Sequence, residues 1–275
     1  MPHTDLRSVH SASPGAVRMK WAESSATMLA AVDLSRVVGL VPVGATEQHG
    51  PHLPTDTDTR IAIALCDAVE RGRPSDVLVL PSVNVGCSLG HGSALAGTLS
   101  LFPDELSTIL IRYAEWAALS GVTRVLFVNG HMGNAPAIAA ATDVLRFRRP
   151  DLQSSWIDWW QASPAVADEV TVDGQDIHAN RAETSIVLHL APALVDVAAM
   201  RTADDPDRTD GLTFRYTAES LSRNGVTGTP SAASAELGAR LFEQIVAVID
   251  DRVSRGVAES APLPRTAPQP TWIQK

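Results

Sequence analysis

Residues 37–70 read VVGLVPVGATEQHGPHLPTDTDTRIAIALCDAVE. The run Val37 to Val43 is continuously apolar and reads as a buried strand, and Thr59 to Glu70 reads as a helix. Between them lie Glu47, His49, His52, Asp56 and Asp58. A buried strand that empties into polar loop and then helix is the unit of a parallel sheet.

The same alternation continues outward. Val77 to Val85 is strand-like, Pro103 to Leu119 has helical spacing, and Arg124 to Val128 is another short apolar strand. Ala135 to Phe147 reads as a helix, Ser155 to Trp159 as a strand and Ala182 to Leu190 as a helix. A long amphipathic helix covers Ser231 to Val253. Short apolar strands alternating with helices predict an α/β fold with a mostly parallel sheet. A single sheet absorbs all of these elements, so one domain is expected over residues 19–258. Residues 1–18 read as a flexible extension and 259–275 as a Pro-rich tail. Residues 200–230 are turn-rich, and loops of that length are often functional or at an interface.

The chain of 275 residues carries 22 Lys plus Arg against 31 Asp plus Glu, a formal charge of -9. That acidic balance argues against a nucleic-acid surface, which needs basic patches. No apolar run approaches the ~20 residues of a membrane span. The N-terminus lacks the apolar core of a signal peptide. Two isolated cysteines, Cys66 and Cys87, make no disulfide framework and fit a reducing cytoplasm. Of eight histidines, six fall between His49 and His189.

Polar motifs sit where strands end, the edge at which open α/β sheets bind ligands. Glu47 and His49 are one residue apart, so in extended chain both address one centre. His131 lies in the NGHMGN of residues 129–134, where Gly130 and Gly133 permit close backbone approach. A third segment, DIHANRAETS at 176–185, adds His178 and Glu183. Mixed carboxylates and imidazoles suit Zn, Mn or Fe. The plainer reading stands beside this one. Asp after a strand commonly caps the next helix, so at least one of Asp56 and Asp58 is expected to be a cap. A lone His after a strand is often only hydrogen-bonded structure.

The motifs TEQHGPHLPTDTDT, GTLSL, VNGHMGN and HANRAETS, in that order, resemble the creatininase family of metal-dependent amidohydrolases. The likeness spans about Val37 to Val253. VPVGATEQHGPHLP, LAGTLS, AETSIVLHLAP and SRNGVTGTPSAASAELGARLFEQI resemble the creatininase-like peptidase branch of the mycofactocin system. The resemblance implies a three-layer αβα fold and two divalent metal ions. It places Glu47, Asp58 and His131 on one metal, His49 and Asp58 on the other, and Asp58 as the bridge. Creatininase proper has a Glu two residues after the His of NGH. Here that position is Gly133, and Glu183 is the candidate replacement. His178 matches the catalytic His, but Asn180 and Arg181 depart from the family's motif. The implied activity is removal of a C-terminal Val-Tyr dipeptide from a modified precursor peptide, in a homo-oligomer such as a hexamer.

Around this set, Ser88 and His91 in the loop GCSLGHGSALAGT are candidate substrate contacts, as are Trp159 and Arg181. Strand alternation puts Trp156 and Trp160 on one face and Trp159 on the other, so at least one is expected in the core. His52 is a candidate partner that orients a ligand, and His189 reads as structural. Two other functions fit the same residues. One is hydrolysis of creatinine, another cyclic amide or a formamide. The other is a metal-binding scaffold without turnover.

Overall fold

The computed structural model of the protein describes residues 19–261. The expected extension at 1–18, with His3 and His10, and tail residues 262–275 lie outside the described residues. Four strands form one parallel sheet: β1 (Val38–Val43), β2 (Val77–Val79), β3 (Arg124–Asn129) and β4 (Gln153–Asp158), in the order β2-β1-β3-β4. The α-helices are α1 (Ala26–Ala30), α2 (Thr57–Gly72), α3 (Pro103–Leu119), α4 (Ala135–Arg148), α5 (Pro164–Val170), α6 (Arg181–Leu190), α7 (Val197–Met200), α8 (Ala218–Leu221) and α9 (Ala235–Ala258).

Side chains of one strand alternate between two separate cores. Val38 and Leu40 of β1 pack with Ile61 and Leu65 of α2, Ile186 of α6 and Ile245 of α9. Val41 and Val43 face the other way, against Leu106 and Leu110 of α3 and Ile138 of α4. The sheet is therefore covered on both faces, as the three-layer αβα expectation requires. This is why its strands read as unbroken apolar runs instead of alternating ones. Leu65 is fully buried. Leu65→Ala is expected to cost about 2–5 kcal/mol, seen in urea as a lower midpoint at unchanged slope.

Three boundaries differ from the periodicity reading. β2 stops at Val79 because Pro81 has no N–H for the ladder, although Val83 still bonds to Pro42 O at 2.9 Å. α9 begins at Ala235, since Pro230–Ala232 forms a separate 3-10 turn and Ser234 caps the helix through Leu237 N. β4 ends at Asp158, and Trp159–Gln161 is a 3-10 turn. Strand alternation therefore does not reach the tryptophan pair. Trp159 and Trp160 are both buried, with rings edge to face at 6.1 Å. Among the described residues no helix is long and apolar enough to cross a membrane.

Candidate metal centre

β1 and β3 end side by side, with Val43 paired to Asn129. The polar segments that follow these two strands therefore start from one place, although about 80 residues separate them in sequence. Asn129 and Asn134 then fix the second segment. Asn129 Oδ1 accepts from His131 N at 3.1 Å, while Asn134 donates to Gly44 O at 3.0 Å and accepts from Cys87 N at 2.8 Å. Gly130 packs on the Asp58 backbone so closely that a Cβ would overlap Asp58 O. That contact brings the first turn of α2 against the end of β3.

Glu47, Asp58 and Glu183 are all buried carboxylates, and His49, His91, His131 and His178 surround them. His49 Nε2 lies 3.3 Å from Asp58 Oδ1 and 3.9 Å from Glu183 Oε2. His131 Nε2 lies 3.1 Å from Glu47 Oε2, and its Nδ1 3.6 Å from Asp58 Oδ2. The two oxygens of Asp58 thus face different imidazoles. His49, Asp58 and Glu183 converge as one ligand set; Glu47 converges with His91 and His131, and with His49 and His178.

The buried acids and imidazoles of this cluster shift one another strongly. Burial alone disfavours ionised Glu47, yet His131, His91 and His178 hold its carboxyl well below the usual range. Burial raises Asp58, with His49 opposing and Glu47 adding to the rise. Burial also pushes Glu183 up to about 8, against the pull of His49 and with repulsion from Asp58 and Glu47. Burial works against a charged His49, but Asp58, Glu183 and Glu47 drive it up to about 10. Both oxygens of Glu47, Oδ2 of Asp58 and Nε2 of His49 are buried without a hydrogen-bond partner among the described residues. Native structures rarely leave such atoms orphaned, and hard or borderline divalent metals take this donor set.

The remaining sequence candidates divide. His91 joins the cluster, 3.0 Å from Glu47 Oε1, and Ser88 on the same loop has a buried hydroxyl with no partner among the described residues. His52 Nε2 meets Thr184 Oγ1 at 2.8 Å, beside Glu183; burial, then His49, lowers its pKa to about 4. Asp56 sits at the N-cap of α2 and pairs with Arg60 at 2.6 Å, so it is the helix-start residue and Asp58 the buried one. Trp159 is not with the imidazoles: its indole N–H donates to Gly130 O at 3.1 Å from within the core. The guanidinium of Arg181 points away, bound to the Glu169 carboxylate and to Glu169 O. Asn180 is the cap of α6, accepting from Ala182 N and Glu183 N, which accounts for one departure from the family motif. The His189 ring lies tilted beside Phe242, with centroids 5.7 Å apart.

Gln48 was legible only as the spacer in E-x-H. In the structure it is buried and bonds His178 Nε2 at 2.7 Å. A side-chain amide between two ligand-type residues was the available signal. The turn-rich loop of residues 200–230 also reaches this centre, where Thr227 N donates to His178 O at 2.9 Å. Asp205 ties that loop together: its carboxylate takes Arg208, Ser222 Oγ at 3.0 Å and Arg223 N at 2.7 Å. Arg208, above all, lowers its pKa to about 2. A depressed carboxyl stabilises above its unfolded value near 4 and loses that contribution as pH falls toward 2. Asp205→Asn is therefore expected to cost about 2 kcal/mol at pH 7, with the gap to wild type closing between about pH 4 and 2 in urea melts.

A family model described as creatinine amidohydrolase matches residues 20–252. The mycofactocin precursor peptide peptidase of Mycolicibacterium smegmatis is 37% identical over 223 residues, 78% of this chain and 84% of its own. The creatinine amidohydrolase of Pseudomonas putida is 29% identical over 231 residues, 78% of this chain and 87% of its own. A solved structure described as creatininase Mn matches with a TM-score of 0.72 at 25% identity, over 86% of this chain and 98% of that one. With the sheet order, the buried carboxylate and imidazole cluster and these likenesses together, this chain belongs to the creatininase family of metal-dependent amidohydrolases, enzymes that act on carbon–nitrogen bonds.

Proposed function

We propose that this chain holds two divalent metals and releases a C-terminal Val-Tyr dipeptide from a small modified peptide in mycofactocin maturation. The observation that carries the substrate is the 37% identity to a mycofactocin precursor peptide peptidase, against 29% to a creatinine amidohydrolase. Glu47, Asp58 and His131 would hold one ion, and His49, Asp58 and Glu183 the other, with Asp58 shared. Zn, Mn and Fe all suit these ligands. Bound there, a metal pair supplies Lewis acidity, activating water and polarising the amide carbonyl.

The chain's own residues contribute the rest. His178 is buried, and its pKa is held well below the ordinary value by burial first and then by His49 and His91. It is therefore neutral at pH 7 and able to hold a proton at Nδ1, the ring atom turned toward Glu47. Asn129 holds the His131 backbone N–H at 3.1 Å, and the His131 ring meets Cys87 O through Nε2 at 3.1 Å. Glu183 is held by the Ala179 N–H, which donates to its Oε2 at 2.6 Å. The Arg181 guanidinium, committed to Glu169, adds no competing cation at the ligands.

Incubation with the modified peptide and separately with creatinine, followed by mass spectrometry, tests the proposal. Val-Tyr released from the peptide alone is the expected result. Creatinine opened while the peptide stays intact would overturn it in favour of the small-amide reading. We also propose a homo-oligomer, for which the exposed Trp116 and Leu119 of α3 offer apolar surface; sedimentation velocity reads the subunit number.

A further inference from the structure

The backbone sets the orientation of the Gln48 carboxamide. Its Oε1 accepts from Gly50 N at 3.0 Å, and its Nε2 donates to Gly225 O at 3.2 Å. Exchanging the oxygen and nitrogen would face N–H with N–H and carbonyl with carbonyl, so the assignment is unambiguous. Gly225 has φ +82, and a Cβ there would overlap Gln48 Oε1. The loop therefore closes on this amide only with glycine at 225.

The same Nε2 faces two imidazole nitrogens, His178 Nε2 at 2.7 Å and His91 Nδ1 at 3.0 Å. An amide nitrogen cannot accept, and its two hydrogens are shared among Gly225 O and these two ring nitrogens. Each ring atom facing it must then be unprotonated, and each neutral ring carries its hydrogen on the other nitrogen. For His91 that atom is Nε2, 3.0 Å from Glu47 Oε1. For His178 it is Nδ1, 3.4 Å from the same oxygen.

We infer that Gln48 is a positioning residue that sets the tautomers of His178 and His91, so that both rings turn an N–H toward Glu47 and neither is a metal ligand. Distance alone groups His91 with Glu47 and His131, and His178 with Glu47 and His49. A ligand must offer a lone pair, and in both rings the nitrogen nearest Glu47 is the one that carries the hydrogen. The proposed ligand sets, which the family resemblance implies, are Glu47, Asp58 and His131 on one side and His49, Asp58 and Glu183 on the other, and contain neither ring. His178 faces the reaction as a neutral hydrogen-bond donor, a role imidazole can fill by polarising a carbonyl.

The ligand consequence rests on the metal reading above, while the tautomers do not. The test is the long-range proton–nitrogen spectrum of the full chain with nitrogen-15-labelled histidine, zinc-free and zinc-loaded. His178→Ala and His91→Ala assign the signals. Hydrogen on Nδ1 of His178 and on Nε2 of His91 is expected in both states. In Gln48→Leu each ring should shift to a mixture of tautomers, and in Gln48→Glu, whose carboxylate only accepts, both should reverse. The zinc content of His91→Ala should equal that of wild type. Hydrogen on Nε2 of His178 in the wild-type protein, or loss of zinc from His91→Ala, would overturn the inference. Failure of the wild-type chain to take up zinc would sink the metal reading and leave the tautomers standing.

Discussion

Asp58→Ala is expected to strip metal from both positions and to abolish amide hydrolysis, while Glu183→Ala empties only one. The reason lies in how the two oxygens of Asp58 are divided: Oδ1 lies 3.3 Å from His49 and Oδ2 3.6 Å from His131. Loss of a neighbour that merely orients a ligand costs about 10–100-fold in metal affinity, so loss of a shared ligand should exceed that at both positions. The variant should still fold. Metal per chain by mass spectrometry, with melting of the metal-free protein, reads both halves. Asp58→Ala retaining one full metal equivalent would overturn the proposal that Asp58 is shared between two metals.

His178→Ala should behave oppositely, keeping the metal of wild type while turnover falls about 10²–10⁴-fold, the range for a lost acid–base group. His178 is anchored without metal: its carbonyl takes Thr227 N at 2.9 Å and its ring takes Gln48 at 2.7 Å. Removing the buried ring changes a proton site and leaves the proposed ligands Glu47, His49, Asp58, His131 and Glu183 untouched. A variant that loses metal along with activity would make His178 a ligand instead.

Substituting Gly133 cannot restore the glutamate that creatininase proper carries there. A Cβ at 133 would overlap Cys87 O and the ring of His131. Glu183 reaches the same centre from the first turn of α6, where Ala179 N holds its carboxylate. In the sequence Glu183 stood only as the candidate replacement in the motif AETS. Its convergence with His49 and Asp58 depends on α6 packing against α2 and α9.

Much of the fold was readable because both faces of the sheet are covered. Buried parallel strands are apolar throughout, and the helices between them carry their own caps and spacing. The errors fell where one local feature changed the period. Pro81 cut β2 short, and the chain turned at Trp159 before the strand pattern could place its ring. Asp56 and Asp58 had equal standing in the sequence. Their separation is a matter of helix phase: two residues turn one carboxylate to Arg60 at the surface and the other to the buried imidazoles.

By itself, then, the sequence determined the parallel α/β architecture and the donor chemistry. Both follow from residue type and local period, which need no knowledge of distant contacts. Only the tertiary structure decided which acids and imidazoles share a centre, that Arg181 is spent on Glu169, and that Gln48 faces His91 and His178. Those outcomes depend on how strand ends, helix phases and the loop at 222–228 meet. Hydrogen bonds and charge interactions act over a few ångströms, so no spacing along the chain could specify them.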